Sequence, residues 1–507
     1  MANDYKEAAR VFHELTKHSY TSVRSFPHLL DWDIKPLPYK IYPDVPAIDL
    51  PRDLKLASMP TLAALAQEPT AHSRHTPLGL DAITRLLFSA GGLTRKRVLG
   101  SEEYHFRTVA SAGALYPTEI YLATGEIDGL EPALYHFSPA DLKLRRLRSG
   151  DWRSFIAAGA GDRPGLRDAA AIVLLTSIFW RSTWKYRARA YRYCCWDGGM
   201  VLANLTAAAT AEQIAVSLVT AFVDENLELL LGVDGRREGV LALATLGTSS
   251  GPALDSPVAA PLAVDTIPLS SREVEYDPLL KIHAESRLLN PDQVRSIGDA
   301  VVRSHSSAEL SASAATPHLD PVPVTSGFSL GETFLRRGST RVFARVALPA
   351  PELAAILATS RNHPRGDFPR LTETYLIVNA VEGLATGAYY YRFQSGDFDL
   401  LKAGDFRAES GYLCLEQPLG ADCSALIVYM ADLESALAGL GNRGYRDVHL
   451  EAGILGGRAY LGAYALGRGA TGLTFYDDDT AAFFAPHAEG KSPLLMVAVG
   501  IARSART

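Results

Sequence analysis

Three observations predict a duplicated α+β fold. The first is internal repetition. Residues 119–153 (EIYLATGEIDGLEPALYHFSPADLKLRRLRSGDWR) align without a gap with residues 373–407 (ETYLIVNAVEGLATGAYYYRFQSGDFDLLKAGDFR), and 373 − 119 and 407 − 153 both equal 254. Glu119, Tyr121, Leu122, Gly129, Leu130, Tyr135, Gly150, Asp151 and Arg153 meet Glu373, Tyr375, Leu376, Gly383, Leu384, Tyr389, Gly404, Asp405 and Arg407. Solenoid repeats run about 20–50 residues, so an offset this long denotes two homologous domains fused in one chain. The second observation is that strand-like and helix-like segments alternate within each copy. The third is that each copy closes on a short apolar strand, VLALATLG (240–247) and LLMVAVG (494–500).

The elements follow in chain order. Residues 1–65 hold Pro27, Pro36, Pro38, Pro43, Pro46, Pro51 and Pro60 and read as an extended arm after one short helix. Residues 66–250 form the first repeat. In it AAIVLLTSI (170–178) reads as a buried strand and YRYCCWDGGMVLANLTAAATAEQ (191–213) as a long helix rich in small residues. Residues 251–325 are a linker of Pro, Ser and Ala stretches around one amphipathic helical segment, DPLLKIHAESRLL. Residues 326–507 form the second repeat, with strand SALIVYMA (424–431) and helix HLEAGILGGRAYLGAYALG (449–467). Small residues on both helices let them pack closely, a suitable interface between the halves.

Bulk properties set limits. A chain of 507 residues has room for two to four cores. Its 47% hydrophobic and 21% charged composition is that of a soluble globular protein, and its net charge of −6 exerts no general pull on nucleic acid or anionic membrane. Cys194, Cys195, Cys414 and Cys423 form no CxxC pair, which suggests neither a zinc site nor a disulfide framework, and points to a reduced, cytoplasmic setting. The N-terminal residues are polar and carry acids, and no apolar run of about 18 residues occurs, so no membrane span is expected.

Three segments carry chemistry. Arg336-Arg337-Gly338-Ser339-Thr340-Arg341 follows a short helix, GETFLRR. Its guanidiniums, hydroxyls and backbone amides suit a phosphate, since arginine offers paired donors to phosphate oxygens; a solvated basic turn is the alternative. Ser111-Ala112-Gly113-Ala114-Leu115-Tyr116-Pro117 has no strong acid or base, but its small residues let backbone approach a flat ligand; a tight turn before the strand EIYLAT is the alternative. Gly469-Ala470-Thr471-Gly472-Leu473-Thr474 leads into the acid-capped helix start Asp477-Asp478-Asp479, where adjacent acids read as caps, since the oxygen spacing of a calcium loop is absent. His72, His75, His105 and His136 show no metal-ligand spacing, and the basic-aromatic run 187–193 comes with no RNA-module motif.

RRGSTR resembles the RRSxR phosphate loop of the flavin-dependent nitroreductase superfamily. SAGALYP with WKYRARAYRY (184–193), together with FHELTKHSY and KPLPYKIYP, is similar to the SagB/ThcOx-type branch, the azoline dehydrogenases of thiazole- and oxazole-containing peptide biosynthesis. The resemblance covers nearly the whole chain. It implies an FMN-binding α+β fold with a mainly antiparallel sheet flanked by helices, here as two tandem nitroreductase-like domains forming an intramolecular pseudo-dimer; further dimerisation stays open. It assigns FMN contacts to Arg336, Arg337, Ser339, Arg341, Ser111, Ala112, Gly113, Ala114, Leu115, Gly472, Leu473 and Thr474, with Arg503 as an added phosphate-side cation. It also implies a small-molecule or peptide-derived substrate and leaves room for a cyclodehydratase or peptide-synthetase partner.

In that family one subunit supplies the phosphate loop and the partner the small-residue loop, so the mismatches between the repeats locate the site. Opposite Ser111–Pro117 lies the bulky, charged Arg365–Leu371; opposite RRGSTR lies a window at 66–77 with the single arginine Arg74; opposite the GATGLT glycines stand Ala215 and Leu218. One FMN site built from both halves is expected, its symmetry mate lost. Lys185-Tyr186 match the family's Lys-Tyr pair and are the expected catalytic residues, abstracting a proton as hydride passes to flavin N5. Lysine is expected to lower the tyrosine pKa, and Arg181, Arg187 and Arg189 that of the lysine. The second repeat carries Asn442–Arg446 in roughly the same place, without such a pair. The competing readings are an NAD(P)H-dependent nitro- or quinone-type reductase and a non-catalytic flavin-sequestering or partner-binding protein.

Overall fold

Continuous apolar, β-branched runs are strands that can be buried on both faces, and here they build two antiparallel sheets. The structure, a computed structural model, describes residue 3 and residues 6–25, 27–67, 78–100, 102–249, 251, 253–297 and 324–503. In the first half the strands are β1 (Ala47–Asp49), β2 (Leu93–Leu99), β3 (Glu102–Arg107), β4 (Thr118–Thr124), β5 (Ala133–Ser138), β6 (Lys143–Ser149), β7 (Ala171–Ile178), β8 (Val216–Val219) and β9 (Glu238–Leu246). In the second they are β10 (Glu373–Val378), β11 (Gly387–Arg392), β12 (Asp397–Ala403), β13 (Ala425–Ala431), β14 (Gly469–Leu473) and β15 (Ser492–Gly500). The sheet orders are β1-β6-β5-β4-β7-β9-β8 and β12-β11-β10-β13-β15-β14, with β2-β3 a separate hairpin.

The duplication is written into the hydrogen-bond register. Thr124 pairs with Ala171 in the first sheet, and Val378 with Ala425 in the second, each 254 residues on. Val216 pairs with Leu246, and Ala470 with Val499. Leu218 is therefore the counterpart of Gly472, and Thr220 of Thr474. The sheets also match at their closing strands, β9 and β15.

The long helices Ala190–Ala211 and Arg443–Ala465 pack on one another across the pseudo-twofold axis. Gly199 and Gly453, again 254 apart, lie at the crossing. A Cβ on Gly199 would fall on the Leu450 carbonyl and within 2.8 Å of the Gly453 backbone, and one on Gly453 would lie 2.8 Å from the Trp196 Cα. Only glycine permits backbones this close, which is why the small-residue run on both helices marks the interface between halves.

The N-terminal arm carries more structure than the single helix expected of it. After helix Glu7–Leu15 come helix Tyr20–Ser25, the 3₁₀ turn Trp32–Ile34, the edge strand β1 and helix Thr61–Ala66. Phe12 packs edge-on against Tyr191 and Tyr445, each 5.7 Å away, so the arm touches both halves. In the linker, helix Asp277–Glu285 buries Leu279, Ile282 and His283. Among the described residues no helix is long and apolar enough to cross a membrane.

Candidate functional site

Helix Phe179–Tyr186 ends on Lys185 and Tyr186, both half-buried, with Tyr186 packed against the core. The loop 111–117 runs directly over them. Gly113 sits at φ +65°, and a Cβ there would lie 2.8 Å from the Tyr186 hydroxyl and 3.3 Å from the Lys185 ammonium. Ala114 and Tyr116 also have positive φ, at 54° and 48°, a conformation that favours glycine. Asp197, on the long helix below, holds the loop in that shape. Its carboxylate accepts from the Ser111 hydroxyl at 2.5 Å and the Ala112 N–H at 3.1 Å, and Ser111 Oγ accepts from the Tyr116 N–H at 2.9 Å. Asp197, Arg107, Ser111, Tyr116 and Thr118 line a small cavity beneath the loop. Burial pushes the Asp197 carboxyl up to about 7, opposed by the Ser111 and Ala112 hydrogen bonds.

The second half reaches the same place. Arg341 is exposed, has no ion-pair partner among the described residues, and acts electrostatically on both Lys185 and Tyr186. Thr474 shares a hydrogen bond with the Tyr193 hydroxyl at 3.2 Å, and the Tyr193 ring packs edge-on against Tyr186 at 4.5 Å. Gly472 is exposed, Leu473 is buried, and the Gly472 N–H donates to the Tyr460 hydroxyl. Ser339 Oγ lies 3.3 Å from the same hydroxyl, tying the phosphate-loop segment to the GATGLT strand. Ala112 and Leu115 are partly exposed at the loop, and the Arg503 N–H donates to the Val342 carbonyl, which places it beside Arg341.

The two leading arginines behave unlike phosphate ligands in this structure. Arg337 is buried and donates to the carbonyls of Thr108, Arg107 and Val109 at 2.8, 2.7 and 2.8 Å, so it clamps the second half to the strand that leads into the small-residue loop. Arg336 is exposed with its guanidinium 4.0 Å over the Phe328 ring.

The electrostatics correct two expectations. Burial raises the Tyr186 pKa, with Tyr193 and Asp197 adding to the rise and Arg341 opposing it, so the lysine does not lower it. The Lys185 pKa is lowered, but by burial and then Arg341, not by Arg181, Arg187 or Arg189. Arg181 is committed to Glu119 in a buried pair, Arg189 to Asp477 at 2.8 Å, and Arg187 reaches the Pro27 carbonyl. Asp477 also accepts from Arg192 at 2.7 Å, so the first of the three adjacent aspartates serves a buried ion-pair cluster. His136 Nε2 bonds Glu119 and His105 Nδ1 bonds Tyr39, so each imidazole already has a side-chain partner.

A sequence profile of the Nitroreductase family matches residues 74–248 and 335–501. The chain belongs to the nitroreductase family. It is thus an oxidoreductase of a flavin-dependent family, present as two copies of the family domain. A crystal structure from Anabaena variabilis described as a nitroreductase superimposes with a TM-score of 0.76 at 28% identity, over 98% of this chain and 99% of that one. A Methanocaldococcus jannaschii protein described as a nitroreductase is 28% identical over 158 residues, 31% of this chain and 76% of its own length. The Escherichia coli microcin synthetase complex overlaps with a TM-score of only 0.30 at 17% identity, over 48% of this chain and 94% of that one, which carries no argument about substrate.

The second position of this nitroreductase-family pair is filled by its own residues. Asp367, from the loop opposite Ser111–Pro117, accepts from the backbone N–H groups of Thr220 and Ala221 at 2.7 and 3.0 Å and pairs with Arg163 at 3.1 Å. Thr220 is the counterpart of Thr474, so a carboxylate sits where the first site exposes backbone. Glu451, the counterpart of Asp197, anchors this loop through the Leu371 N–H at 2.8 Å. Helix Leu433–Leu440 is the counterpart of Phe179–Tyr186, which puts Gly439 and Leu440 opposite Lys185 and Tyr186. This corrects the alignment to Asn442–Arg446 and leaves that helix without the pair. Helix Thr61–Ala66 meets helix Leu330–Arg336 through Thr61 and Thr333 hydroxyls at 2.7 Å, so the counterpart of the phosphate loop begins at Gln67. Arg74, His72 and His75 lie outside the described residues.

The residues that sequence reasoning missed are Asp197 and Asp367. Asp197 stands inside a helix whose sequence advertises only its small residues. The larger surface cleft, lined by Ala47, Ile48, Glu126 and Arg146, lies at the outer edge of the first sheet and contains no candidate residue.

Proposed function

We propose that the chain is an FMN-dependent dehydrogenase with one flavin site per chain, divided between its halves, acting on an azoline or another peptide-derived intermediate. One observation supports this most. Lys185, Tyr186 and the Gly113 loop of the first half meet Arg341 and Thr474 of the second, while the symmetry-related position is closed by Asp367. The residues fit the group. Arg341 and the Ser339 hydroxyl would hold the phosphate, and the backbone of Ser111–Leu115 and Gly472–Thr474 would border the ring. When bound, FMN supplies the hydride acceptor.

The rest is done by the chain. Burial and then Arg341 lower the Lys185 pKa, which makes Lys185 Nζ the group best suited to take the proton that leaves the substrate carbon. Tyr186, its pKa raised, stays a neutral hydroxyl that can donate a hydrogen bond and orient the substrate. The loop over both groups shields them from water, which strengthens each electrostatic contact.

The relatives' descriptions as nitroreductases favour a second reading, reduction of a nitro- or quinone-type acceptor at the expense of NAD(P)H. Anaerobic spectroscopy separates the two. Loss of flavin absorbance on adding an azoline, absent in a Lys185→Ala variant that still holds FMN, is expected. Rapid bleaching by NADPH with none by azolines would select the reductase.

A further inference from the structure

We infer that the phosphate cradle is itself divided between the halves, with Arg95 of the hairpin β2-β3 supplying a guanidinium from the first half; the inference rests on the FMN reading above. The motif RRGSTR alone would put the cradle wholly in the second half. The hairpin lies against it. A Cβ on Gly338, in the centre of the loop 336–341, would lie 3.2 Å from Arg95 Nη2 and 3.5 Å from the Tyr464 hydroxyl, so glycine leaves a space walled by a cation and a hydroxyl.

Arg95 is aimed there by its own strand. The register of β2 against β3 shifts between Leu93 and Arg95, and the guanidinium packs 5.0 Å over the Phe106 ring. Such a shift re-aims a side chain. The neighbouring Lys96 is spent on Glu103 at 2.9 Å, but Arg95 has no carboxylate partner among the described residues. Arg337 fixes the placement, because its guanidinium holds the carbonyls at the end of the same hairpin, Arg107 and Thr108, while Gly338 follows it in the chain. Arg95 also lies close enough to Arg337 to lower its pKa, and Arg341 is likewise uncompensated. Arg95 and Arg337, like charges beside Gly338 and the Tyr464 hydroxyl, repel unless an anion lies between them, and a phosphate monoester fits the paired donors of a guanidinium.

The test is the affinity of the full chain for FMN and for riboflavin, read by quenching of flavin fluorescence. Wild type is expected to bind FMN more tightly than riboflavin. Arg95→Gln should weaken FMN by about tenfold or more, the loss of one charged hydrogen bond, and leave riboflavin unchanged, while Lys96→Gln alters neither. An Arg95→Gln chain that binds FMN as wild type does overturns the inference, and so does an equal loss for riboflavin, which would assign Arg95 to folding. Wild type that binds neither flavin overturns the FMN reading itself.

Discussion

Asp197 is the residue on which the geometry of the loop depends, and it titrates unusually for a carboxyl group. Being buried, its charged form is disfavoured, and its pKa rises from the ordinary 3.8 to about 7. The proton held in the folded state contributes stability that is complete below the ordinary value and is lost as pH climbs through about 7. Asp197→Asn keeps an oxygen for the Ala112 N–H and a donor for Ser111 but cannot ionise. The Tm of Asp197→Asn relative to wild type should therefore rise between pH 5 and pH 8; a pH-independent difference would show that Asp197 is ionised throughout. Nothing in the segment CCWDGG reveals this role, because the partners Ser111 and Ala112 lie far away in sequence. Lys185 and Tyr186 are legible as a pair through their match to a known motif. Their division of labour is not, since burial, which neither residue's neighbours in sequence determine, moves the two pKa values in opposite protonation senses.

The two long helices show what an element can and cannot disclose. Their small-residue composition announces a close contact, and the constant offset of 254 residues sets Gly199 opposite Gly453. The distances make the requirement strict: the backbone of Ile454, 2.7 Å from a Cβ on Gly199, has nowhere to move. Gly199→Ala should cost about 1–3 kcal/mol through overpacking, seen as a lower denaturation midpoint, whereas an unchanged midpoint would mean that the halves can separate slightly without loss. The segment RRGSTR is legible as basic, yet its local pattern cannot apportion the arginines. Arg337 turns inward because three backbone carbonyls at the end of β3 accept its guanidinium N–H groups, and a buried guanidinium left without acceptors is costly. The helices of the arm are hidden in the sequence for the opposite reason: prolines there dominate the pattern, while helices such as Thr61–Ala66 are held by tertiary contacts to the second half.

At the scale of the whole molecule, duplication followed by divergence yields an asymmetric pair in one chain. The shared fold is readable from the matches between the repeats, because matched strand residues such as Leu122 and Leu376 occupy the same sheet position 254 residues on. The candidate site is readable from the mismatches, down to the lost loop and the missing glycines. What replaced them is not. Asp367 reads in the sequence as a charged disruption, and only the assembled halves show its carboxylate capping the N–H groups of Thr220 and Ala221, neutralised in part by Arg163. A chain built this way should carry one cofactor where a symmetric dimer of the same domain would carry two. The decisive measurement is the molar ratio of FMN to chain after saturation and removal of free flavin, from absorbance and amino-acid analysis. The divided single site predicts one FMN per chain; two per chain would contradict it.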